Sequence, residues 1–169
     1  MRPQKQDYIA YFEHYINLVS ESDINSALKN NHQTTLRFLK SIPSSQFNYQ
    51  YTPNKWTIKE VLSHIIDTER VFSYRALCFS RGETQILPGF DENEYANHAD
   101  LSNVAFEDLV MEFDIVRQAT IMQFSHLPSD KPLLKGKSAA GENNVLSLGY
   151  MIVGHTQHHI NVVKERYLT

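Results

Sequence analysis

Apolar and polar positions along this chain alternate with a helical period over most of its length. Ile24, Leu28, Thr35, Phe38, Leu39 and Ile42 share one face, behind a Ser20-Glu21-Ser22-Asp23 cap and ahead of Pro43. The next start signal is the clearest. Thr57 and Glu60 stand at capping-box spacing, and Trp56 and Val61 stand where a hydrophobic staple would put them. This run continues through Leu62, Ile65, Ile66, Val71, Phe72, Ala76 and Phe79 to Gly82. A third follows Asn103, through Phe106, Leu109, Val110, Phe113, Val116, Thr120, Ile121 and Phe124 to Leu127-Pro128. The fourth spans Val145 to Arg166. Ahead of them, Tyr8, Ile9, Tyr11, Phe12, Tyr15, Ile16 and Val19 predict a short amphipathic helix lying across the outside of the others. No segment reads as a strand. The expectation is an all-α fold: one domain over 1–169, a four-helix bundle with residues 1–22 as a helical arm.

The connection between the second and third long helices is informative. Gly82 to Leu101 has no sustained period and is long for a bundle loop. Returning along a helix of about 25 residues means covering about 35 Å, which takes at least about 11 extended residues. Such a crossover makes the flanking helices parallel; a plain up-down bundle is the alternative. With the crossover, the start of the second long helix meets the end of the fourth.

That meeting point carries the candidate chemistry. In the fourth helix the seam Val145, Leu148, Ile152, His155, His159, Val162, Arg166 steps by three and four residues, and two of its positions are histidine. Four residues advance a helix by about 6 Å and turn it about 40° past a revolution. His155 and His159 therefore point the same way and can grip a divalent ion from one side. Two core histidines held by hydrogen bonds are the alternative, at the cost of solvating two polar rings in the core. His64, on the inward flank of the second long helix, is the natural third ligand.

Composition narrows the class. The net charge of −3 and pI near 6.2 make no electrostatic case for nucleic acid or an anionic membrane. The first residues lead into no apolar signal-peptide core, and no run approaches membrane-spanning length. One cysteine, Cys78, excludes an internal disulfide framework and fits a cytoplasmic setting.

The segments Trp56-Thr57-Ile58-Lys59-Glu60-Val61-Leu62-Ser63-His64, Asp67-Thr68-Glu69-Arg70, Tyr74-Arg75-Ala76-Leu77, Pro88-Gly89-Phe90-Asp91-Glu92 and Gly154-His155-Thr156-Gln157-His158-His159 resemble the DinB-like superfamily of damage-inducible-type, stress-linked four-helix bundles. The likeness spans nearly the whole chain, including Tyr15 to Val19. It implies a metal triad of one His early in the second long helix and a His-x-x-x-His pair in the last, matched here by His64, His155 and His159. It also implies a metal-dependent enzyme: a thiol S-transferase using a low-molecular-weight thiol on small electrophiles, or a metal hydrolase. A non-catalytic metal or small-molecule binding module is the remaining alternative. Related bundles often pair, and the aromatic arm adds to the expectation of a homodimer.

Three neutral imidazoles leave Zn²⁺ or Ni²⁺ its full charge and an open position, for hydrolysis or for thiolate transfer. Asp67 could orient the His64 ring or merely favour the helix dipole. His158 is rotated about 100° from His159, toward a supporting or solvent-facing place. Arg75 could recognise a substrate carboxylate or pair with an acid. Cys78, about 21 Å along the helix from His64, is too far to ligate with it. His14, His32, His98 and His126 read as surface residues. Tyr49, Tyr51, Phe90 and Tyr95 are expected to line a pocket roofed by the crossover and the Ser44 to Asn54 loop.

Overall fold

The computed structural model describes residues 1–168. Its frame is four long helices: α2 (Ile24–Ser41), α3 (Ile58–Ser80), α5 (Phe106–Ser125) and α6 (Val145–Arg166). A five-residue α1 (Glu13–Asn17) precedes them, and α4 (Glu92–His98) lies inside the crossover. The caps of α2 and α3 are those expected from the sequence. The Asp23 carboxylate accepts from Ser26 N at 2.8 Å. Thr57 Oγ1 accepts from Glu60 N at 3.2 Å, while Glu60 accepts from Thr57 N at 2.6 Å. Asn144 starts α6 by accepting from Ser147 N at 2.7 Å.

Contacts between helices fix their directions. Lys59 Nζ at the start of α3 donates to Leu101 O just before α5, Glu69 meets Arg117 midway, and Gln123 near the end of α5 reaches Ser73 O. Helices α3 and α5 are therefore parallel, as the crossover argument requires. Phe79 near the end of α3 packs on Gly136, just before α6, while His64 meets His155 and His159, so α3 and α6 are antiparallel. The long helices run up, down, down, up, with α6 against both α2 and α3.

Three features depart from the hydrophobic pattern, each for a physical reason. Helix α4 has no buried residue and so no apolar stripe; its cap is Asp91, which accepts from Asn93 N and Glu94 N at 2.9 and 3.0 Å. A small antiparallel hairpin, β1 (Lys135–Ser138) and β2 (Gly141–Asn144), corrects the strandless expectation. Its strands are glycine and polar residues, ordered by their neighbours: Gly136 lies flat under the Phe79 ring, and Leu87 of the crossover exchanges backbone bonds of 2.9 Å with Lys137 and Ala139. In α6 the seam also drifts. Val145, Leu148 and Ile152 are buried, but Arg166 is exposed, and Ile160, Val163 and Tyr167 take the inner face. A strict three-four repeat drifts about 20° per heptad on a straight helix.

The leading segment is not one helix but two 3₁₀ turns (Lys5–Asp7, Ala10–Phe12) running into α1. It is strapped to α6. The Arg2 guanidinium donates to the carbonyls of Ile16, Val19 and Glu21 and sits 5.3 Å over the Tyr150 ring. Tyr150 Oη donates in turn to Glu21 O at 3.0 Å. Phe12, Ile16 and Val19 are buried in this contact, so of the arm's apolar side chains Met1, Tyr11 and Leu18 are the ones left prominently exposed. The apolar surface it offers for pairing is narrower than its composition implied.

Candidate metal centre

Two helices running in opposite directions bring three histidines level. His64 comes from the second turn of α3, and His155 and His159 stand one turn apart on α6. His155 Nε2 is 3.0 Å from His64 Nε2 and 3.1 Å from His159 Nε2, and ring nitrogens of all three lie within 4.8 Å of one another. Bonds of about 2.0–2.1 Å from imidazole to a divalent ion imply nitrogen separations of about 2.9–3.4 Å between ligands, depending on the angle. The two distances at His155 fall in that range, and the remaining pair lies within 4.8 Å.

Hydrogen bonding explains the cluster less well. A neutral ring nitrogen carries either one proton or one lone pair. His155 Nε2 faces two other Nε2 atoms and cannot be matched in line to both. The nitrogens gather around His155 Nε2 instead of forming one matched pair.

Burial keeps the rings neutral. It pushes His64 down to about 4, and burial with the neighbouring His64 and His158 pushes His159 down to about 3. His155 lies well below its ordinary value, first through burial and then through His159 and His64. Neutral imidazoles keep their lone pairs for a metal at neutral pH.

Local packing holds the rings. The Trp56 ring, read as a staple, also lies 4.8 Å from that of His64, and Tyr15 lies 5.3 Å from His155. Tyr15 can come this close because position 154 is glycine. A Cβ there would collide with the Tyr15 carbonyl.

The histidines border a cavity of about 430 Å³. Its walls are mostly apolar: Ile9, Phe12 and Tyr15 from the arm, Trp56 and Phe72 from α3 and its approach, and Phe90 from the crossover. Thr68, Arg75 and Glu92 are its other polar groups of note. The roof differs from expectation. Phe90 lines the cavity, and Tyr95 lines a small recess beside His64. Tyr49 and Tyr51 instead pack on Tyr167, at 6.3 and 4.8 Å between rings. The arm covers the place expected for the Ser44 to Asn54 loop, and nothing in its helical period marked it as a lid.

Other candidates separate cleanly. Asp67 lies 3.7 Å from Arg70 and makes no hydrogen bond to His64; burial, its largest influence, pushes its carboxyl up. His158 stacks edge-on to Tyr15 and His159, outside the cavity lining. Cys78 does not line it. Arg75 has no acidic partner among the described residues. It donates to Pro88 O at 2.9 Å. His14, His98 and His126 are exposed, but His32 is held by Asp114 at 2.7 Å. Thr68, Glu92 and Tyr15 went unrecognised as cavity residues. In sequence they are indistinguishable from ordinary positions on a helix or arm.

Among the described residues no helix is long and apolar enough to cross a membrane. A family model described as the DinB superfamily matches residues 27–163. Among solved structures, one described as "YfiT from Bacillus subtilis is a probable metal-dependent hydrolase with an unusual four-helix bundle topology" is similar at a TM-score of 0.74 and 14% identity, covering 98% of this chain and 90% of that one. At that identity the likeness speaks for the fold. No curated protein is similar enough in sequence to match.

Proposed function

The chain belongs to the DinB superfamily, and from that premise we propose that it is a metal-dependent enzyme, foremost a thiol S-transferase acting on small electrophiles. The observation that carries this reading is the convergence of His64, His155 and His159 Nε2 atoms at the edge of an apolar cavity. These three residues would hold a divalent ion, with Zn²⁺ or Ni²⁺ suited to an all-imidazole set. Bound there, it would supply Lewis acidity, drawing a thiol or water toward deprotonation near neutral pH. Three ligands without a fourth from the protein suit an open, reactive site over a closed structural one.

The chain's own residues do the rest. Trp56, Tyr15 and Phe72 keep water from the reacting end and favour an apolar electrophile. Among the described residues no carboxylate is hydrogen-bonded to these three histidines, which suits thiol transfer. A thiol, with a pKa near 8.5, needs far less help to ionise than water does.

A hydrolase is the second reading, favoured by two observations. Glu92 borders both the cavity and the recess beside His64, where a carboxylate could take a proton from water. The YfiT structure is also described as a probable metal-dependent hydrolase. The test is a panel of low-molecular-weight thiols with a chromogenic aryl halide, alongside aryl esters and amides without thiol, using zinc- or nickel-loaded protein. Thiol-dependent turnover that vanishes in His159→Ala supports the transferase. Turnover of an ester or amide without thiol, lost in Glu92→Gln, supports the hydrolase instead. Absence of any turnover across the panel contradicts both.

A further inference from the structure

The cavity beside the histidines has a second polar end. Along α3, His64 is followed on the same face by Thr68, Phe72 and Arg75, and all four border the one cavity. Arg75 retains only 5% exposure. Its one hydrogen bond to protein is to Pro88 O, and no carboxylate lies within ion-pairing distance among the described residues. The guanidinium sits 5.9 and 6.0 Å from the ring centres of Phe72 and Phe90. Such a group stays charged at any physiological pH. A buried cation lacking a counter-charge is costly, and an anion entering the cavity would relieve that cost.

Thr68 points to the same conclusion. Helical threonines commonly return their hydroxyl to a carbonyl four residues back. Thr156 does so to Ile152 at 3.0 Å, and Thr120 to Val116 at 3.1 Å. Thr68 Oγ1, on a residue 3% exposed, has no partner among the described residues. The oxygen is sealed from solvent, so it offers its donor and acceptor to a ligand only where the cavity wall gives way beside it.

We propose that Arg75 and Thr68 form an anion subsite that holds the carboxylate of a small, largely apolar monoacid. Resting on the function proposed above, this places the acid's reactive group at the histidine end. The eleven residues from His64 to Arg75 span about 16 Å of helix, a distance shortened at the tips because helical side chains lean toward the N-terminus. An aryl or alkyl body of a few carbons fits between Phe72, Phe90 and Tyr15. Glu92 at the exposed side of the cavity disfavours a second negative charge on that body. A monoanion fits better than a dianion.

The test pairs 5-phenylpentanoate with 5-phenylpentanamide, titrated calorimetrically into chelator-stripped and zinc-loaded protein. The acid is expected to bind at least tenfold tighter than the amide in both forms. Arg75→Gln, which keeps a donor for Pro88 O, should erase the preference. Arg75→Lys should keep part of it, and Thr68→Val should weaken acid binding several-fold. Equal binding of acid and amide by the wild type overturns the subsite, as does an undiminished preference in Arg75→Gln. A preference seen only with zinc also overturns it, because the carboxylate would then be seeking the ion. The stripped-protein arm involves no metal, so it reads Arg75 whether or not the proposed enzymatic reading survives.

Discussion

Two buried arginines, one at the centre of the bundle and one in the cavity wall, lead opposite lives. Arg117 is fully buried and has partners for four of its five N–H groups. Its Nε and Nη2 donate to the two Glu69 oxygens at 2.8 Å each, Nη2 also reaches Thr156 Oγ1 at 3.0 Å, and Nη1 reaches Asn31 Oδ1 at 2.6 Å. Its guanidinium lies 5.1 Å over the Phe113 ring. Arg75 is nearly as dry and has one carbonyl. The same contrast runs through their neighbours. Thr156 is satisfied, whereas Thr68 is orphaned and the three histidines gather around His155 Nε2. Polar groups that close on one another specify how four helices pack. Polar groups left open beside a cavity await something from outside.

The closed cluster should govern stability and the open one should not. Arg117→Met leaves Glu69 buried without its partner, and urea unfolding should show a loss of about 3–5 kcal/mol. A loss under 1 kcal/mol would mean the pair is replaceable and the comparison misplaced.

In metal-free protein the open cluster should reveal itself through pH. The histidine pKa values are lowered in the folded state, so below about 6.5 the unfolded chain binds more protons, and stability falls as pH falls. His64 alone, held near 4, contributes about 3 kcal/mol that is present above pH 6.5 and lost between there and pH 4. Urea titrations at steps of pH should trace that window and flatten when His64 is replaced by Gln. No flattening would show that other groups carry the acid sensitivity.

Gly154 links the arm to the site. Gly154→Ala forces Tyr15 away from α6 and should cost about 1–3 kcal/mol, with faster amide exchange over residues 10–18. Unchanged exchange would show that the arm is not seated through this contact.

The helices were legible because they follow a period that one buried stripe imposes, and the meeting of the three histidines because they occupy that stripe. Where burial is not apolar, the pattern is silent. Val116 reads as inward, yet it is only half-buried while its neighbour Arg117 is sealed in the core. Helix α4 and the hairpin bury almost no apolar side chains of their own, so alternation had nothing to mark. The arm's role as a cavity wall depends on Gly154 and Arg2, single residues whose effect is visible only once chain segments distant in sequence meet.

Thr57→Ala should have the smallest effect, about 1 kcal/mol, by removing the cap from which His64 is set in register.

The central claim is that His64, His155 and His159 form one metal site. Elemental analysis of untagged protein dialysed against limiting Zn²⁺ or Ni²⁺, with His64→Ala, His155→Ala and His159→Ala measured beside it, tests that directly. One ion per wild-type chain and a loss of at least tenfold in affinity in each variant, with helical content unchanged by circular dichroism, is the predicted result. Wild-type stoichiometry and affinity in all three variants would contradict it.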